Sequence, residues 1–368
     1  MIGTHMTLND FLDNLTPHEQ ALLTNDLTAR LNHLLTLSPE PTRPAFKSAA
    51  YWLAQFDAAW VSEGNMYTSW FGNPAQTYHC FAPLAGLRDA WLASGEARWL
   101  NALLDGALDW CKTAVGKSTD KGAPDVRLCL HDMRAGREIA VALLEATERK
   151  IENARLDELT TRLIAIWSFW YERGELKRIF THGAWHSYVM AYCLSKLDTD
   201  TARGGQYVDV MTWTLPKIEA QYTKTEPGWR YMFDDSDRYD SPIRRDGWTN
   251  IDHAVSDVAA LGWLAWRGDA IATAWIPRML TMFRAVYNPE RQRFSYLTTG
   301  GNEGNATNDG KPRAAYDWPH LSTGAAFAWL GAVDAGAMTL CEGYAAGAGD
   351  YYRAPMYAGL AVAAGAWG

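Results

Sequence analysis

The chain has 368 residues, 48% of them hydrophobic and 21% charged, the balance of a globular protein with a sizeable core. Its net charge is −8 with both signs mixed along the sequence, which argues against a nucleic-acid partner, since phosphate binding needs a basic face. No apolar run approaches the roughly 20 residues of a membrane helix, so no membrane partner is expected.

The opening Met1-Ile2-Gly3-Thr4-His5-Met6 has neither a charged n-region nor an apolar h-region. It is compatible with a cloning remnant in place of a removed signal peptide, so the compartment stays open, secreted and periplasmic included. A leucine stripe (Leu22, Leu23, Leu27, Leu31, Leu34, Leu35) predicts a helix from Pro17 to Leu37, stopped by Pro39 to Pro44. The periodicity then predicts helices at Ala45–Val61, Thr77–Ser94, Glu96–Val115, Val126–Lys150, Ala154–Arg173, His182–Leu197 and Gly205–Thr223. Ser62 to Gln76 reads as a loop with an aromatic insertion around Trp70, and Lys224 to Gly247 as a long irregular crossing. Helices resume at Thr249–Arg267 and Asp269–Val286. Tyr287 to Leu297 reads as a short strand excursion and Thr298 to Asp309 as a surface loop, before helical patterns at Trp318–Val333 and Tyr352–Ala364.

Strand signals are scarce, and helix pairs recur at a coarse period of roughly 50 residues. About 12 to 14 helices with alternating short and longer connections predict an all-α fold, an (α/α)6 or (α/α)7 toroid forming a single domain over 1–368. Such a ring gathers helix N-termini and their preceding loops around one end of a central cavity. Cys80, Cys111, Cys129, Cys193 and Cys341 form no CxxC pattern and read as free core thiols. Of the 18 Trp, many fill the core, but Trp70, Trp185, Trp229, Trp248 and Trp318 fall in loops or at helix starts, where flat rings suit stacking on sugars.

Polar aromatics, histidines and arginines are concentrated between Thr181 and Leu261. His182 and His186 share a helix face, but Gly183 stands where a zincin HExxH needs Glu, so no metal and no cofactor are expected. Asp234-Asp235-Ser236-Asp237 has the wrong spacing for the DDxxD metal motif of terpene cyclases and reads as a solvated acidic turn or an adventitious calcium site. Thr249 is a plausible N-cap for a helix carrying Asn250 and His253, and a helix N-terminus favours a bound carboxylate. The bland reading is that Asn250 and Asp252 merely satisfy the first turn while His253 is a buried structural histidine. His131 and Arg134 open a helix that also carries Arg137 and Glu138. They read either as substrate contacts or as part of an Arg–Glu helix surface. Tyr316-Asp317-Trp318-Pro319-His320 precedes another helix, with Asp317 as a candidate acid.

His186-Ser187-Tyr188 resembles the Asn-His-Ser-Tyr-Trp segment of the (α/α)-barrel alginate lyases, with Trp185 in place of the asparagine. An arginine and a tyrosine that follow roughly fifty residues later in that family have counterparts here in Arg230, Arg238 and Tyr239. The resemblance implies a polysaccharide lyase acting on a uronic-acid polymer such as alginate or a glucuronan by β-elimination. It implies His186 as base or base partner, Tyr239 as proton donor or base, and Arg230 or Arg238 as charge binders. Asn250 and His253 would contact the carboxylate in place of the missing asparagine. Trp185, Tyr188, Trp229, Arg244, Trp248, Trp318, His320, His131 and Arg134 would bind the acidic polysaccharide or oligosaccharide.

The chemistry agrees with those residue types. Removing the proton at C5 of a uronate requires the carboxylate to be neutralised, a base near the working pH and a proton for the leaving O4. Two alternatives stand beside it. One is a glycoside hydrolase of the same fold, with a carboxyl pair drawn from Asp132, Asp235, Asp252 and Asp317, acting on uronic or unsaturated oligosaccharides as unsaturated-glucuronyl hydrolases do. The other is a non-catalytic glycan-binding protein. Oligomeric state is open.

Overall fold

The computed structural model describes residues 45–77, 79–115, 125–179, 183–225, 228–231, 251–288, 293–294, 327–347 and 353–367. The chain divides into two units, Met1–Ala45 and Phe46–Gly368, and every described helix and strand lies in the second. The sequence-expected helix at Pro17–Leu37 lies outside the described residues.

The elements in chain order are α1 (Ala49–Thr68), α2 (Phe81–Ser94), α3 (Ala97–Cys111), α4 (Asp125–Glu148), α5 (Ala154–Glu172), the single turn α6 (Glu175–Arg178) and α7 (Ala184–Leu197). A 3-10 turn at Thr201–Arg203 leads into α8 (Gly204–Gln221), and a hairpin of β1 (Tyr222–Thr225) and β2 (Gly228–Tyr231) comes next. Then come α9 (Ile251–Trp266), α10 (Ala270–Val286), a minimal hairpin of β3 (Tyr287–Asn288) and β4 (Arg293–Phe294), helical residues 327–331 (α11), α12 (Ala335–Gly347) and α13 (Arg353–Gly365). The local signals are ordinary ones. The Ser48 hydroxyl accepts from Tyr51 N–H at 3.2 Å to start α1, and Asn153 and Asp269 cap α5 and α10 in the same way. Gly95, at φ 71°, ends α2 in the left-handed conformation that a side chain would resist.

Burial sorts the helices into two layers. The described parts of α2, α4, α7, α9, α11 and α13 are covered on nearly every side, as a helix flanked by neighbours all round must be. Helices α1, α3, α5, α8, α10 and α12 bury one stripe and expose the other. The inner helices pack in sequence, α2 on α4, α4 on α7 and α7 on α9. A Cβ built on Gly262 of α9 would stand 2.7 Å from Trp329 Cβ of α11, so only glycine allows that approach. The Trp367 indole N–H donates to the Gly331 carbonyl at 2.7 Å, tying the end of α13 to α11, and α13 packs on both α1 and α2. The ring is therefore closed, an all-α (α/α) toroid. Its described part has six inner helices.

The inner helices run parallel, and this gives the ring two unlike ends. Their C-terminal ends pass to the outer layer through short turns, such as Gly95-Glu96 and Arg267-Gly268-Asp269. Contacts confirm the alignment: Arg267, after α9, bonds Glu145 near the end of α4, and Arg149 lies over the Trp91 ring near the end of α2, 5.2 Å from its centroid. The N-terminal ends of α2, α4, α9 and α11 are reached through the long connections instead.

The elements differ from the sequence reading in a few places. Helix α1 continues through Ser62 to Thr68, expected as loop, because Glu63, Gly64 and Tyr67 prolong its buried stripe and Trp60 packs closely on Gly64. The crossing after α8 begins with the β1–β2 hairpin, in which Thr223 pairs with Arg230 and Lys224 with Trp229. Helices α6 and α12 had no predicted counterpart. The alanine- and glycine-rich α12 offers little periodic contrast between faces. All five cysteines are free thiols, four of them buried.

Candidate active site

The most polar part of the interior is a chain of charged side chains linking the inner helices. Arg88 Nε donates to Asp89 Oδ1 at 2.8 Å, and Asp89 Oδ2 accepts from the Trp329 indole N–H at 3.1 Å. Glu138 is shared: it pairs with Arg88 Nη1 through one oxygen and with Arg137 Nη2 through the other. Arg137 Nη1 lies 2.8 Å from His186 Nδ1, and His186 Nε2 faces Asp257 Oδ1 at 3.6 Å. Helices α2, α4, α7, α9 and α11 each contribute. The side chains of Glu138, His186 and Asp257 are fully buried and those of Arg88 and Arg137 almost so.

Burial pushes the carboxyls of Asp89 and Asp257 up from their ordinary values, while the neighbouring arginines pull against it. Burial also draws Arg137 down, with the charge of Arg88 adding to the effect and Asp257 opposing it. The Glu138 carboxylate lies between the two guanidiniums and pairs with both. A second positive charge beside one of them, at about 4 Å and an effective dielectric near 20, costs about 4 kcal/mol.

Toward the long-connection end, Arg134 lies over the Phe81 ring, 3.9 Å from its centroid, at the start of α2. Burial and then the charge of Arg134 lower the pKa of His79, which packs at 5.6 Å on Trp70. Asp132 accepts two bonds on Oδ2, from Trp170 Nε1 at 2.7 Å and from Val115 N–H at 2.9 Å. Val115 has φ 64°, so this carboxyl holds a turn that a β-branched residue adopts at a cost. Burial pushes Asp132 up to about 7, with its two hydrogen bonds opposing.

Of the candidate substrate and catalytic residues singled out in the sequence, His186, His131, Asp132, Arg134, Trp185 and Tyr188 have described side chains and are buried, while Trp70 is half-buried and edge-on to Tyr67. His186 occupies the first turn of α7, and His131 and Arg134 lie on α4 two turns and one turn before Glu138, respectively. The Arg–Glu pair of α4 is not a helix surface: Arg137 is 2% exposed and Glu138 0%. Trp185 is wholly enclosed, edge-on to Tyr188 and Trp275, and belongs to the packing behind the site rather than to a stacking face. Tyr188 is likewise covered, and burial raises its phenol to about 12. Trp229 and Arg230 are described only as backbone of β2, and Asp252 and His253 only as backbone of α9. Asp235, Arg238, Tyr239, Arg244, Trp248, Asn250, Asp317, Trp318 and His320 lie outside the described residues.

Sequence reasoning missed Arg88, Asp89 and Asp257. A signal was there: Arg88-Asp89 sits between Leu87 and Ala90-Trp91-Leu92, a charge pair inside an apolar run, which is tolerated only where the charges find partners. Among the described residues no group of three His, Cys, Asp or Glu side chains could hold a metal ion, and no helix is long and apolar enough to cross a membrane.

No protein-family model matches the chain, and no curated protein matches it. It is similar to a solved structure of a polysaccharide lyase, with 11% identity and a TM-score of 0.52 over 87% of this chain and 98% of the other. At that identity the likeness is one of fold, and it extends over nearly the whole of the lyase.

Proposed function

We propose that the protein is a polysaccharide lyase that cleaves a uronic-acid-containing polymer, of alginate or glucuronan type, by β-elimination. The observation that carries this reading is the buried Arg137–His186–Asp257 array in the inner helices, below the end of the ring that the long connections serve. Charged groups this deep are costly to bury, and a structural core gains little from them that apolar packing would not give. The likeness of fold to a polysaccharide lyase supports the same reaction class.

In the proposed reaction the sugar carboxylate is neutralised by Asn250 and His253, which open the α9 region, together with Arg230 or Arg238. Stabilising that carboxylate acidifies the C5 proton. His186 acts as base or base partner, and Tyr239 takes the C5 proton or returns one to O4. The C5–H and C4–O4 bonds break, a C4–C5 double bond forms, and O4 leaves with a proton. Trp229, Arg244, Trp248, Trp318 and His320 bind flanking sugars, with His131 and Arg134 at the inner wall.

The unsaturated product absorbs in the ultraviolet. Incubation with alginate, glucuronan and glycosaminoglycans is expected to give a rise in absorbance on at least one of them. New reducing ends without that absorbance would make the protein a hydrolase. Binding without either signal would make it a glycan-binding protein. Wild-type turnover in both His186→Ala and Tyr239→Phe would sink the residue assignment.

A further inference from the structure

We infer that Arg137 and Asp257 hold His186 as the tautomer with its hydrogen on Nε2, making it a positioning residue that does not itself accept the substrate's proton. The inference rests on the lyase reading for its function, but its structural half stands without it.

A charged guanidinium carries only donors. With Arg137 Nη1 at 2.8 Å from Nδ1, that ring nitrogen must be the acceptor, and its lone pair is used. The hydrogen of a neutral imidazole then lies on Nε2, the nitrogen facing Asp257 Oδ1 at 3.6 Å. The charged groups around the ring come from two elements. From α4 come Arg137, with Glu138 fixing its other amino group and Arg134 nearby, and from α9 comes Asp257. Arg137 cannot easily turn away to free Nδ1. Glu138 holds it, Arg88 holds Glu138, Asp89 holds Arg88, and Trp329 donates to Asp89. The restraint on one imidazole thus runs through five helices. A base must release its lone pair to the substrate, and His186 is fully enclosed with Nδ1 already committed. The C5 proton is then left to a group other than His186.

The direct test is nitrogen-15 NMR of the wild-type protein with labelled histidines, the His186 signals being assigned by their loss in His186→Gln. An unprotonated Nδ1 and a protonated Nε2 are expected near neutral pH. A proton on Nδ1, alone or on both nitrogens, would overturn the inference. The second arm uses whichever polymer is cleaved. Glutamine can accept from Arg137 through its amide oxygen and donate toward Asp257, so His186→Gln should keep kcat within roughly tenfold of wild type, with the same pH limbs. His186→Ala should lose far more. A loss of about 10²–10⁴-fold in the glutamine variant, together with loss of the basic-form limb of the pH profile, would identify His186 as the base and refute the inference. If no polymer is cleaved, the lyase reading fails alone, and the NMR result still decides the tautomer.

Discussion

The two ends of the ring both contain arginine–carboxylate clusters, yet they are built differently. At the short-turn end, Arg267 reaches Glu145 at 2.9 Å and Glu148 at 2.7 and 2.8 Å, and Trp263 donates to Glu145 at 3.2 Å. Glu148 is 42% exposed there, so water shares the solvation. Toward the other end the Arg88–Glu138–Arg137–His186–Asp257 chain has almost no access to water, and each charge depends on its protein neighbours. The first cluster is a clasp between the C-terminal ends of α4 and α9. The second holds charge where apolar packing would serve stability better, which is the ground on which it is proposed as the site.

The contrast can be broken most sharply at Glu138. Glu138→Ala strips the shared carboxylate from Arg88 and Arg137, and should cost about 3–5 kcal/mol in urea unfolding. A change below about 1 kcal/mol would mean that the buried chain is not coupled as described. At the clasp, Arg267→Ala should cost only about 1–2 kcal/mol, because Glu145 keeps its bond from Trp263 and Glu148 turns to solvent. Part of that loss should vanish in high salt, whereas the Glu138 effect should not.

The third comparison is at Asp132, where the sign is the informative part. A folded-state value of about 7 against 3.8 means that between those pH values the folded protein holds a proton the unfolded chain has released. Stability from this group is therefore full below about pH 4 and declines as pH rises to about 7. Both bonds end on one oxygen, so Asp132→Asn can keep them through its carbonyl. The variant should show a flatter stability profile and exceed the wild type at about pH 8. A steeper decline with pH in the variant would contradict this.

The fold was legible because it rests on short-range signals. Gly95, Asn153 and Asp269 mark boundaries within a residue or two of where they fall. The inner and outer layers were not separable, since enclosure on all sides depends on neighbours distant in the chain. The same limit hid the site. His186 stood out through its neighbours Ser187 and Tyr188, but Asp257 is an unremarkable acid until α9 lies beside α7. Trp185 shows the opposite error. A tryptophan at a helix start suggested sugar stacking, yet its ring fills the space between α7 and α10.

Closure of the ring has a consequence for how the protein is made. Glu63 on α1 accepts from Tyr67 at 2.5 Å, from Arg353 at 2.8 Å and from Ala354 N–H at 3.3 Å, and Gly86 on α2 leaves room for Pro355. The first described hairpin is thus completed by the last described helix to leave the ribosome. An open solenoid can consolidate repeat by repeat during synthesis. Here the apolar flanks of α1 and α2 must wait for α13, whose Arg353 lies 290 residues after Glu63, a long interval in which they are exposed to aggregation or to chaperones.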